Sequence, residues 1–204
     1  MEKVILCTKN KGKLKEFKEL FAMLGINLEL ISLFDLNEEE DVLENGNTFK
    51  ENAYLKASFY FNKYHLPTIA DDSGLCIDAI GGKPGINSAR YSGFGPKENI
   101  KKVLKELEGV KMRQAHFNCD ICFIDQDGND YYFNGKVNGY IGYSESGDNG
   151  FGYDPIFMVN YLGKDVSMAS LSEEHKNHIS HRYNALLEFA KWHSANNLKE
   201  ENNE

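Results

Sequence analysis

Residues 3–25 read KVILCTKNKGKLKEFKELFAMLG, and this stretch decides the class of fold. Lys3 to Thr8 is a short apolar run of strand character. After it, Leu14, Phe17, Leu20, Phe21 and Leu24 recur at spacings of three and four, the single buried stripe of a helix that Gly25 closes. Between the two lies a polar loop, Thr8, Lys9, Asn10, Lys11, Gly12 and Lys13. A strand running through such a loop into a helix presents unpaired backbone N–H groups and the positive end of a helix dipole. With three lysines added, the loop is either an anion cradle or a solvated, Lys-rich helix start. It is not a Walker loop, since GxxxxGK[ST] is absent.

Outward from this unit the alternation continues. Ile26 to Leu33 reads as a second strand, and 35–46 as an acidic, irregular segment. Thr48-Phe-Lys-Glu51 is a capping box opening a helix to about Tyr64. Leu66 to Ala70 predicts a strand ending at Asp71-Asp72-Ser73-Gly74. Glycines and a proline mark 81–95 as a long functional loop, and Pro96 leads a helix with Ile100, Val103, Leu104 and Leu107 inward. Ala115 to Asp125 and Asp130 to Ile141 form a hairpin around Asp127-Gly128. A last long helix carries Ile179, Tyr183, Leu186, Leu187 and Ala190. Residues 1–194 are expected to form one domain, and 195–204 a frayed tail. Helices alternating with strands, then a hairpin, then a helix predict a mixed α/β sheet.

Composition narrows the function. The 204 residues are 41% hydrophobic and 26% charged, and 13 Phe, 11 Tyr and one Trp need a core to pack into, so global disorder is excluded. A net charge of −8 argues against a broad nucleic-acid surface but not against a small phosphorylated ligand. No apolar run approaches the ~20 residues that span a bilayer, and MEKVILCT is too charged for a secretory signal. The four cysteines lie in apolar stretches and are expected to be reduced, in a cytoplasmic protein. Cys119 and Cys122 are three apart on a strand, face opposite ways, and so make neither a zinc site nor a redox pair.

Several stretches can carry chemistry. Adjacent carboxylates Asp71 and Asp72 point in different directions, so one can hold a metal while the other orients ligands or water; the competing reading is a capped turn. Glu44 lies in an acidic run that mostly reads as solvated surface, but just before a Gly turn and a helix start it could reach a Mg²⁺ held by that pair. Gly150-Phe151-Gly152-Tyr153-Asp154-Pro155 combines tight backbone with two aromatics that can stack on a purine, or else is a glycine-rich turn with buried rings. Lys176, Ser180 and His181 fall near one another through helical spacing.

Taken together, six stretches resemble the inosine/xanthosine triphosphate pyrophosphatase family: 8–13, 46–53, 70–74, 84–91, 150–157 and 179–182, in family order. The resemblance implies an elongated mixed β-sheet flanked by helices, in two lobes with a nucleotide cleft between them. It implies a homodimer, Mg²⁺ dependence, and hydrolysis of ITP, dITP or XTP to the monophosphate and pyrophosphate. Carried over residue by residue, Asp72 is the catalytic acidic residue, and Glu44 with Asp72 the metal ligands. Thr8 to Lys13, Ser73 and Lys56 become phosphate contacts; Phe151, Gly152, Tyr153, Asp154, Lys176, His181 and Arg182 become nucleoside contacts, with the Arg182 guanidinium aimed at the 6-oxo edge of the base. Three residues depart from the family pattern: Lys9 stands where Gly is usual, Ser170 where an acidic residue is common, and Tyr183 where a small one is. A non-hydrolytic nucleotide-binding protein and a pyrophosphatase of different base preference are the alternatives.

Overall fold

A computed structural model describes residues 2–201, with side chains through residue 196. In chain order the elements are β1 (Glu2–Leu6), α1 (Lys11–Leu24), β2 (Leu28–Ser32), α2 (Phe49–Tyr64), β3 (Thr68–Ile77), β4 (Lys83–Pro84), α3 (Pro96–Glu106), β5 (Gln114–Ile124), β6 (Asp130–Ile141), β7 (Phe157–Tyr161), β8 (Lys164–Ser167), α4 (Glu173–Ile179) and α5 (His181–Glu201). The sheet is mixed, with order β2-β1-β3-β5-β6-β7-β8 and β4 paired to β3. β1 is parallel to both β2 and β3, whereas β7 is antiparallel to β6 and β8.

Two compact units divide the chain, one of residues 1–72, 119–135 and 182–204, the other of residues 73–118 and 136–181. The first has two cores. Val4, Leu6, Phe17, Leu20 and Phe21 pack with Cys119, Ile121, Leu186 and Phe189; Ile5, Cys7, Ala53 and Ala57 pack with Ala70 and Cys122. Cys119 and Cys122 therefore do belong to different packed layers, as strand period two requires. Burial pushes both thiols up, Cys122 to about 12. The second unit packs Leu75, Ile77, Val103, Leu107, Phe117, Phe157 and Met168.

Local signals explain most boundaries. Asn10 caps α1 by accepting from Lys13 N, and Gly25 ends it in the left-handed region at φ 64°. Thr48 Oγ1 accepts from Glu51 N at 3.1 Å, while the reciprocal Glu51 carboxylate takes Asn47 N at 2.6 Å rather than the cap residue's own amide. Asp125 accepts from the amides of Asp127 and Asn129 and so shapes the hairpin turn. The 81–95 loop contains β4 and a 3₁₀ stretch, Gly85–Arg90.

Two elements differ from expectation. β3 does not end at Ala70 but continues through Asp71-Asp72-Ser73-Gly74 to Ile77, because Leu75 and Ile77 have their own core to enter. The last long helix is two helices: Ser180 is extended at φ −70°, ψ 154°, separating α4 from α5. Helical backbone continues past Ser194 to Glu201, and 202–204 lie outside the described residues.

Candidate active site

Because β3 runs on, Asp71 and Asp72 sit within a strand rather than in a turn, and consecutive side chains leave it on opposite sides. Their surroundings differ accordingly. Asp71 accepts from Lys13 Nζ at 3.2 Å and from Arg182 at 3.0 Å (Nη2) and 3.3 Å (Nε). The remaining arm of Arg182, Nη1, reaches Glu16 at 2.7 Å. Burial alone would raise the Asp71 carboxyl, but Lys13, Arg182 and Lys56 overcome it and hold it well below the usual carboxylate range.

Asp72, 7% exposed, accepts from Asn52 Nδ2 at 3.0 Å. Burial raises its carboxyl to about 6; Lys56, Lys13 and the Asn52 bond pull the other way without cancelling it, and the Glu44 charge adds to the rise. Lys56, on α2, pairs with Glu44 at 3.2 Å and is held protonated against its burial by Asp72, Asp71 and Glu44. Glu44, Lys56, Asp72 and Lys13 are thus one electrostatic cluster.

Asn52 and Glu16 were not singled out by the sequence. Asn52 also accepts from Gly46 N at 2.9 Å, fixing the turn after Glu44. Each is a polar side chain on the buried side of its helix, and only Glu16 sits on a helix whose apolar stripe could have marked it.

The 8–13 loop is tighter than the sequence suggested. Thr8 Oγ1 accepts from Asn10 N at 3.1 Å, and α1 already begins at Lys11. Lys11, Gly12 and Lys13 therefore form its first turn, where the amides of 11 and 12 have no intrahelical acceptor. Lys9 is the exception to the expected cradle. Its Nζ donates at 2.8 Å to the carbonyls of Glu39 and Glu40 and to the Asp41 carboxylate. An ammonium has three donors, and these three acceptors take them, turning Lys9 toward the acidic segment.

The donor set suits a hard divalent cation. Glu44 and Asp72 offer carboxylate oxygens, and Asp72 is held up by burial and by the Glu44 charge, a strain that a cation on the pair would relieve. Among the described residues no three His, Cys, Asp or Glu side chains form a closed metal cage.

The second unit carries the other candidates, Ser73 on β3 among them. Asp154 Oδ2 accepts from Phe151 N at 2.9 Å and from Lys176 Nζ at 2.7 Å, and Lys176 lies 4.6 Å from the Phe151 ring centroid. The 150–154 turn wraps this carboxylate so closely that a Cβ on Gly150 would lie 2.1 Å from it, at a φ of +75°. Phe151 keeps 40% of its surface exposed, beside the half-buried Gly152. Tyr153 does not make a second ring platform. It is 5% exposed within the core, with its hydroxyl on the Ser88 carbonyl at 2.7 Å. His181 stacks on Phe117 at 4.9 Å and 15°. Arg182 differs most from expectation: its side chain is 1% exposed in the first unit and donates to Glu16 and Asp71, not toward a base.

The Ham1 family model matches residues 4–192, nearly the whole chain. This chain belongs to the Ham1 family. Its similarity to individual Ham1 relatives is equally extended. A protein of Oceanobacillus iheyensis named dITP/XTP pyrophosphatase is 48% identical, with 94% of this chain and 98% of that protein aligned. One of the same name from Bacillus anthracis is 47% identical over 91% and 93%. Among solved structures, the Staphylococcus aureus Ham1 protein aligns with a TM-score of 0.84 and 38% identity, over 96% of this chain and all of that one. A HAM1 protein from Coxiella burnetii gives the same TM-score at 34% identity. Of the other two departures in this Ham1 chain, Ser170 bonds Ser167 between hydroxyls at 2.8 Å, and Tyr183 packs against the α1–α5 core.

Proposed function

We propose that this Ham1 chain hydrolyses non-standard purine nucleoside triphosphates, ITP, dITP and XTP, to the monophosphate and pyrophosphate, removing them from the nucleotide pool. The names of its near-full-length relatives support the substrate class. The observation that carries the chemistry is Asp72, a buried carboxylate raised to about 6 beside two lysines and a second carboxylate. Asp72 is ionised at neutral pH, as both a proton acceptor and a metal ligand must be.

In this reading Asp72 orients water and accepts its proton as the oxygen attacks the α-phosphorus, and the bond to the β-phosphate oxygen breaks. Lys13 and Lys56 hold the departing pyrophosphate, with the first-turn amides of Lys11 and Gly12 and the Thr8–Asn10 turn. Glu44 and Asp72 would hold Mg²⁺, which supplies charge neutralisation to the phosphates when bound. Asn52 keeps Asp72 in place through its 3.0 Å bond. We assign Ser73 to the phosphates and Phe151, Gly152, Asp154, Lys176 and His181 to the nucleoside, Phe151 as the stacking face. Arg182 holds Asp71 and, through it, Lys13. Selectivity against adenine then follows from the 6-oxo group, an acceptor where adenine presents a donor; donors at that edge leave adenine unpaired.

The family resemblance supports a cytoplasmic homodimer. No described helix is long and apolar enough to cross a membrane. The test is pyrophosphate release with Mg²⁺, comparing ITP, XTP, dITP, GTP, ATP, dTTP and UTP. Preference for the first three is expected, and equal rates on all seven would overturn the base assignment.

A further inference from the structure

Residues 38–46 form neither helix nor strand, yet they carry Glu44 to its place beside Lys56. Such a segment needs anchors. Its ends are tied by Glu38 N to the Leu33 carbonyl at 2.9 Å and by Gly46 N to Asn52 at 2.9 Å, and side chains hold what lies between. On one side α2 provides Lys63, which bonds Glu38 at 2.7 Å and Glu40 at 2.9 Å, with Tyr64 donating to Glu38 at 2.6 Å and Tyr60 to the Glu40 carbonyl at 3.1 Å. Bonds from Lys63 and Tyr64 bring the Glu38 carboxyl down to about 2. From the strand–helix turn comes Lys9, making three 2.8 Å bonds to residues 39, 40 and 41. Lys9 immediately follows Thr8 and precedes the Asn10 cap, so this bond set ties the strand–helix turn of the phosphate cluster to the chain that delivers Glu44.

We propose that Lys9 is a positioning residue, a clasp that holds the acidic segment so that Glu44 stands ready for the metal, and not a phosphate contact. The proposal rests on the reading of Glu44 as a metal ligand. Its physical signature is a sign. Lys9 is itself a cation, so whatever its removal did through charge alone would tighten metal binding. Removing a clasp would loosen it, because the ligand's chain becomes free to wander.

Lys9→Met keeps the aliphatic stem and removes the donors. Two readouts serve: the Mg²⁺ concentration giving half-maximal pyrophosphate release from ITP, and the rate of Glu-specific proteolysis at residues 38–44 in the substrate-free protein, followed by mass spectrometry. The clasp predicts a half-saturating Mg²⁺ raised about tenfold, the low end for loss of support to a metal ligand. Most of the lost rate should return at high Mg²⁺, with faster cleavage confined to 38–44 and partial restoration of both readouts in Lys9→Arg. Unchanged or lower half-saturating Mg²⁺, or unchanged cleavage, overturns it, as does a raised ITP KM that persists at saturating Mg²⁺. Glu44→Gln, run in parallel, separates the two ideas. Unchanged Mg²⁺ dependence in that variant removes Glu44 as a ligand and with it the metal role of the clasp, whereas a strong effect there with none in Lys9→Met removes Lys9 alone.

Discussion

Replacing Asp72 by Asn should make the protein more stable as it makes the enzyme inactive. The carboxylate is 7% exposed, and its pKa rises from 3.8 to about 6 because burial strips water from the charged form. The attraction of Lys56 and Lys13 already acts within that net shift. A group whose folded pKa is raised favours the fold when protonated, and that contribution is lost as pH rises through about 6. At pH 8 the ionised Asp72 therefore costs the fold about 3 kcal/mol, two units at roughly 1.4 kcal/mol each. Asn is isosteric, uncharged at every pH, and can still accept from Asn52. For a chain of this length the gain corresponds to a Tm rise on the order of 5–10 °C, while loss of the charge and the proton acceptor costs ~10²-fold or more in rate. The assay is thermal melting in EDTA at pH 8 and at pH 4, alongside pyrophosphate release from ITP. The Tm advantage should be present at pH 8 and shrink toward pH 4, where wild-type Asp72 is itself becoming protonated. An equal or lower Tm at pH 8, or an advantage independent of pH, refutes the desolvation argument; near wild-type turnover refutes the catalytic one.

Three further outcomes are expected. Lys13→Ala should weaken ITP more than IMP in calorimetry, since the lysine serves phosphates the product lacks, and equal losses would move it off the phosphate tail. Arg182→Ala takes the guanidinium from two buried carboxylates, Glu16 and Asp71, the second keeping only Lys13 among its cations at hydrogen-bond distance, at a cost of about 3–5 kcal/mol, so Tm should fall and ITP and ATP should lose rate in proportion; a compressed ITP-to-ATP ratio with an unchanged Tm would make Arg182 a base reader after all. Phe151→Ala should weaken ITP and GTP alike by ~1–3 kcal/mol, because a ring face stacks on any base, and a change in their ratio would contradict a purely stacking role.

What the sequence determined by itself is whatever short-range rules decide. The stripe of Leu14, Phe17, Leu20 and Phe21, the Gly25 stop, the Thr48 cap and the 127–128 hairpin turn all lie where their spacing placed them, because each depends on neighbours within a few residues. The opposition of Cys119 and Cys122 was equally legible, being a consequence of strand period alone. Ordered motifs along the chain pointed to the family, since residues 8–13, 46–53, 70–74 and 150–157 recur together. Only the tertiary structure decided the partners of charged side chains. Asp71 and Arg182 are 111 residues apart in sequence, and Lys9 meets Glu39 across 30. No local pattern records that a lysine in a basic loop will turn to carbonyls of an irregular segment, or that a guanidinium after Ser180 will enter the core beside Glu16. Tyr153 shows the same limit, for an aromatic in a glycine-rich turn reads identically whether its hydroxyl meets a ligand or the Ser88 carbonyl. Side-chain direction at such positions is set by which long-range acceptors folding brings within about 3 Å, and that is a property of the assembled chain.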